Sequence, residues 1–133
     1  MRIQLLHDSK TIRYAAEELK KYLAKMSGVS ADISKDNGDI KLGFLSELEL
    51  SLDGVLDSMI DDVIDVRIEG LSGYIAGSNE RSILMGVYNY FKSAGAMWGR
   101  PGENGEFIPQ IDLSLSLVRY AQKGGLFVPR RVH

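Results

Sequence analysis

Ile64-Asp65-Val66-Arg67-Ile68-Glu69-Gly70-Leu71-Ser72-Gly73-Tyr74-Ile75-Ala76-Gly77 decides the architecture, because a strand periodicity ends there and a helical one begins. Ile64, Val66 and Ile68 alternate with Asp65, Arg67 and Glu69, the two-residue period of a strand with one buried face. Gly70-Leu71-Ser72-Gly73 is turn chemistry, and residues 74–77 read as the returning strand. The period then changes to three and four. Ile83, Leu84, Val87, Tyr88, Phe91 and Ala94 make one face of a helix that starts near Ser78 or Asn79 and is capped by Gly95.

The same reading extends outward. Residues 3–6 form a short strand, followed by Asp8 or Ser9 as a helix N-cap. Ile12, Ala15, Ala16, Leu19, Tyr22, Leu23 and Met26 line one face of a first helix. Lys20, Lys21 and Lys25 complement its negative end, and Gly28 supplies the left-handed stop. Residues 31–33 and 40–43 read as strands around an Asp36-Asn37-Gly38-Asp39 turn. Ser46-Glu47-Leu48-Glu49 matches a capping box that opens a short helix. An acidic surface connection through Asp53, Asp57, Asp61 and Asp62 follows. Downstream lie a glycine-rich loop from Trp98 to Glu106 and a final strand through Leu113, Leu115 and Leu117, alternating with Ser114 and Ser116. These elements predict one α+β domain over residues 1–133. It is a two-layer sandwich with a mixed, mostly antiparallel sheet and two main helices packed on it.

The composition excludes several function classes. A net charge of -2 offers no basic excess to neutralise phosphates, so nucleic acid is not an expected partner. There are no cysteines, hence no disulfide, thiolate metal site or thiol nucleophile. Met1-Arg2-Ile3-Gln4 leads straight into structure, and no apolar run reaches membrane-spanning length. The expected location is therefore cytoplasmic, with no membrane partner. With only His7 and His133, the chain lacks the ligand set of a zinc site and a convincing base for a serine triad. Residues 32–43 have the wrong glycine and terminal positions for a calcium loop. Residues 77–81 lack the spacing of a phosphate-binding loop. Glu103 and Glu106 share one glycine-rich loop, a poor mount for an acid/base pair that needs a fixed gap of roughly 5–9 Å. No catalytic residue, cofactor or metal is expected in this chain.

The segment from Val66 to Pro109 carries a more specific signal. Gly77-Ser78-Asn79-Glu80-Arg81, Leu84-Met85-Gly86-Val87-Tyr88, Trp98 and Gly105-Glu106-Phe107-Ile108-Pro109 together resemble the N-terminal domain of family 67 α-glucuronidases. They are also similar to the domain that precedes the barrel in β-hexosaminidases. Residues 11–19 resemble that family's alanine-rich first helix. The chain departs at Ser82, where the family commonly has a second glycine, and at Ala96-Met97, where it often has Cys-Arg. The resemblance implies a non-catalytic accessory domain of a xylan-degrading, carbohydrate-cleaving hydrolase. Its acid and base would lie on a following (β/α)₈ barrel. A barrel needs about 250 residues, so the catalytic unit is expected outside these 133 residues.

The partner implied is that barrel, with carbohydrate as a second candidate. The expected contact residues are Trp98, Arg100, Glu103 and Glu106 on the loop, with Arg81 at the start of the second helix. Each has a structural alternative: Trp98 as a buried anchor, Arg81 paired with a carboxylate across the fold, and the two glutamates as solvated loop charges. A free-standing carbohydrate- or protein-binding module using residues 98–106 is the competing reading. Gly86 weakens the second helix by roughly 1 kcal/mol relative to alanine, which points to close helix-to-sheet contact.

Overall fold

A computed structural model describes residues 1–50, 62–98, 105–123 and 126–127. Strands β1 (Arg2–Leu5), β2 (Asp32–Ser34), β3 (Ile40–Phe44), β4 (Val63–Glu69), β5 (Ser72–Gly77), β8 (Leu117–Lys123) and β9 (Leu126–Phe127) form one sheet in the order β2-β1-β3-β5-β4-β8-β9. Strands β6 (Met97–Trp98) and β7 (Glu106–Phe107) make a separate two-stranded ribbon. Helices α1 (Lys10–Ser27) and α2 (Glu80–Ser93) pack on each other and on one face of the large sheet. The fold is α+β with two helices on a mixed sheet. The sheet is less antiparallel than expected: β1–β2, β1–β3 and β3–β5 are parallel, and β4–β5, β4–β8 and β8–β9 are antiparallel. The reason is connectivity, since α1 intervenes between β1 and β2, and a long excursion between β3 and β5 carries the chain through β4.

α1 forms as its sequence dictates. Ser9 is the N-cap and its Oγ accepts from the Ile12 N–H at 3.2 Å. The expected apolar face from Ile12 to Met26 is buried. Gly28 closes the helix at φ 67°, a conformation nearly free for glycine. Asp8 is not the cap; its carboxylate pairs with Arg13 and Lys35.

α2 starts at the expected place, with Asn79 accepting from the Ser82 N–H at 2.8 Å. Its buried face is rotated from the expected one. Ser82, Ile83, Gly86, Val87, Tyr90 and Phe91 are buried, whereas Leu84 and Tyr88 are only half-buried and Ala94 is at the cap. The cause is Gly86. A Cβ there would lie 2.6 Å from Ile75 Cγ2 and 3.1 Å from Ile64 Cγ2, so the helix backbone rests directly on β4 and β5. That contact turns Tyr90 into the core, where burial pushes its hydroxyl up to about 12.

Three further expectations are corrected. The short helix exists as a 3₁₀ turn at Leu45–Leu48, but the capping carboxylate is Glu47, accepting from the Phe44 N–H at 2.8 Å. Residues 113–116 are not a strand. Leu113–Leu115 is a 3₁₀ turn capped by Asp112, whose carboxylate accepts from the Ser114 N–H at 3.0 Å. The strand proper begins at Leu117 and pairs along all of β4. Asp65, expected at a solvated position, is 3% exposed because β4 is flanked by β5 and β8. Tyr74 Oη donates to it at 3.2 Å. Asp65 and Tyr74 lie on the sheet face away from the helices, where Leu45, Val63 and Ala76 form a small second cluster. The expected acidic connection is outside the described residues up to Asp61; Asp62 is described.

Candidate interaction site

The ribbon β6–β7 sits where α2 hands the chain on, and it is tied to the first helix. Trp98 pairs with Glu106, and Met97 pairs with Phe107. Glu106 Oε1 accepts from Tyr22 Oη at 3.3 Å, and Glu106 Oε2 lies 3.5 Å from Lys25 Nζ. Just beyond the ribbon, Gln110 Nε2 donates to the Lys25 carbonyl at 2.6 Å, and the Ile111 N–H donates to the Met26 carbonyl at 2.9 Å. The base of the 98–106 loop is thereby fastened to the C-terminal turns of α1. Met97 and Phe107 are 44% and 47% exposed. As directly opposed residues of an antiparallel pair they share one face of the ribbon.

Beside this ribbon the α1–α2 layer offers two depressions. One is lined by Lys25, Glu106, Ile108 and Gln110. The other is lined by Tyr22, Met85, Tyr88, Asn89 and Lys92; at about 390 Å³ it lies at the low end of ligand-pocket sizes, roughly 300–1,000 Å³. Tyr22 is shared between them in effect, since its hydroxyl reaches Glu106 and its ring stands 6.5 Å from Tyr88. Its ring also carries Lys21 and Lys25 at 4.7 and 5.4 Å.

A carboxylate lies between the two helices. Glu18 is 7% exposed and accepts from Tyr88 Oη at 2.7 Å and Tyr14 Oη at 2.9 Å, with Lys21 Nζ at 3.0 Å. Burial is the largest influence on its acidity and opposes ionisation, but the hydrogen bonds from Tyr88, Lys21 and Tyr14 outweigh it and hold the carboxyl below its ordinary value. Tyr88 is pushed up, by burial first and by its bond to Glu18 second. This cluster was not foreseen. The signal was available: Glu18 falls on the same helical face as Ala15 and Tyr22, three residues after one and four before the other.

Of the five expected contact residues, the structure brings Trp98 and Glu106 together through the ribbon. Arg100 and Glu103 lie outside the described residues. Glu106 is half-buried against α1, not a solvated loop charge. Arg81 stands apart at the other end of α2, a helix about 20 Å long. It takes its structural alternative: Nη2 and Nε lie 2.9 and 3.1 Å from Asp62 Oδ1. Asn79 Nδ2, at 3.0 Å, and Ser82 Oγ, at 3.1 Å, reach the same oxygen. The Arg81 guanidinium beside it holds the Asp62 carboxyl below its ordinary value, against the opposing effect of burial. Ser82 is thus a buried member of the helix cap.

The described residues contain no cluster of three or more His, Cys, Asp or Glu arranged to hold a metal ion. No helix among them is long and apolar enough to cross a membrane. In comparisons with known proteins, no family model and no curated protein matches this chain.

Proposed function

We propose that the chain is a non-catalytic accessory domain of a carbohydrate-cleaving hydrolase of the α-glucuronidase kind. Its α1–α2 layer and β6–β7 ribbon are the surface that meets the catalytic (β/α)₈ domain. The resemblance over Val66 to Pro109 supplies the class. The observation that carries the docking role is the ribbon: an exposed apolar pair, Met97 and Phe107, on a platform clamped to α1 through Glu106. A rigid platform with apolar residues presented beside polar ones suits a contact between domains, and loops on such scaffolds commonly carry contacts. The exposed Met85, near the centre of the same layer, adds an adaptable apolar side chain.

A second reading, a carbohydrate-binding module, is favoured by one feature. Lys25, Glu106 and Gln110 line a single depression next to the aromatic Tyr22 and Tyr88, a mixture of hydrogen-bonding and apolar groups suited to a sugar. Kinetics on the purified chain test the first reading. No turnover of aryl glycosides or aldouronic acids is expected. Turnover abolished by Glu103→Gln or Glu106→Gln would overturn it. Saturable binding of xylan oligosaccharides that is lost in Glu106→Gln would support the second.

A further inference from the structure

The face of the large sheet that the helices leave uncovered carries a row of cations in cross-strand register. Lys41 on β3 is paired with Tyr74 on β5, Tyr74 with Arg67 on β4, and Arg67 with Arg119 on β8. Directly paired residues project from the same side of a sheet. Tyr74 is on the side away from the helices, in contact with Leu45, Val63 and Ala76. Lys41, Arg67 and Arg119 therefore project from that side too, and all three are exposed. At a strand spacing of about 4.8 Å the row spans roughly 14 Å. None of the three forms a salt bridge among the described residues. Glu69, two residues along β4 on the same face, is also outside every such pair, and Asp65 is buried under Tyr74.

Arg67 opposite Arg119 is an arrangement that costs stability in an isolated domain, since like charges directly across a ladder repel. The β2-β1-β3-β5 half of the sheet is parallel, and parallel sheets are ordinarily covered on both faces. Among the described residues, α1 and α2 cover one, and the other carries only the small cluster of Leu45, Val63 and Ala76. We propose that this face docks an acidic polypeptide element of a partner protein, whose carboxylates neutralise Lys41, Arg67 and Arg119 while its backbone covers the sheet. Charge complementarity identifies the occupant. Three aligned cations are far fewer than the roughly 6–10 phosphate contacts that carry nucleic-acid binding. One exposed apolar side chain, Leu117, lies beside the row on that face, and a single leucine is too little apolar area to anchor a lipid surface. The surface lies on the opposite side of the sheet from the α1–α2 layer, so it stands independently of the docking role proposed above.

The test is fluorescence anisotropy of the chain with labelled poly-L-glutamate at low salt. Binding is expected to weaken as salt rises. Arg67→Gln/Arg119→Gln should weaken it by about tenfold, equivalent to roughly 1.4 kcal/mol. Lys10→Gln/Lys20→Gln removes the same charge from exposed positions on α1 and should leave it within about twofold. The Arg119→Gln chain should melt at a higher temperature than the parent, which confirms a folded variant and relief of the repulsion. Equal losses in the two double variants, absence of poly-L-glutamate binding, or tighter binding to oligo-dT or to phosphatidylserine vesicles would overturn the proposal.

Discussion

Tyr88 on α2 donates its phenolic proton to the carboxylate of Glu18 on α1 at 2.7 Å, and so joins the two helices across 70 positions of sequence. Glu18 is more acidic in the fold than in the open chain. A carboxyl with a depressed folded pKa contributes stability that is present above its ordinary value of 4.5 and is lost as pH falls through the folded value. Stability should therefore decline as pH drops below about 4.5. Glu18→Gln should flatten that limb while lowering stability at pH 7. Urea melts between pH 3 and 7 measure this; parallel curves for parent and variant would remove Glu18 from the acid response.

Gly86→Ala gains about 1 kcal/mol of helix propensity. The added Cβ meets Ile75 Cγ2 at 2.6 Å, a methyl on a stiff β-branched side chain. Overpacking of this kind costs typically 1–3 kcal/mol. Net destabilisation is expected in denaturant melts. A stabilised variant would show that α2 does not rest on β4 and β5 this closely.

Phe91→Ala and Leu84→Ala discriminate the observed buried face of α2 from the one read in the sequence. Phe91 is fully buried and its loss should cost about 3–5 kcal/mol. Leu84 is half-buried and should cost less, below the roughly 2–5 kcal/mol of a core leucine. Equal costs in thermal or chemical melts would restore the unrotated face.

Most of the fold was legible because α1, β4, β5 and the start of α2 each carry a clean period with matching caps. The failures have local causes. Leu113-Ser114-Leu115-Ser116-Leu117 alternates like a strand, yet the Asp112 carboxylate captures the Ser114 N–H and winds the first three residues into a 3₁₀ turn. Leu115 is left 84% exposed. Placing that strand too early also hid that β4 is internal, and with it the burial of Asp65. The rotation of α2 depends on a tertiary contact at Gly86 that periodicity cannot encode. At the candidate site, Trp98 and Glu106 were legible as loop ends. The attachment of Glu106 to Tyr22 and Lys25, more than 80 positions away, was not.

The Arg81–Asp62 pair is half-exposed on the arginine side and should couple weakly. A double-mutant cycle with Arg81→Ala and Asp62→Ala is expected to give about 0.5–1 kcal/mol, the range for exposed ion pairs with good geometry. A coupling of several kcal/mol would indicate a desolvated pair.

Amide hydrogen exchange on the chain alone and on the chain joined to the proposed catalytic (β/α)₈ domain tests the docking account most directly. Protection is expected to rise on joining at Met97, Trp98, Glu106 and Phe107 and along the α1–α2 surface around Met85, with strands β1 and β3 unchanged. Identical protection of the ribbon and of that helical surface in both forms would contradict it.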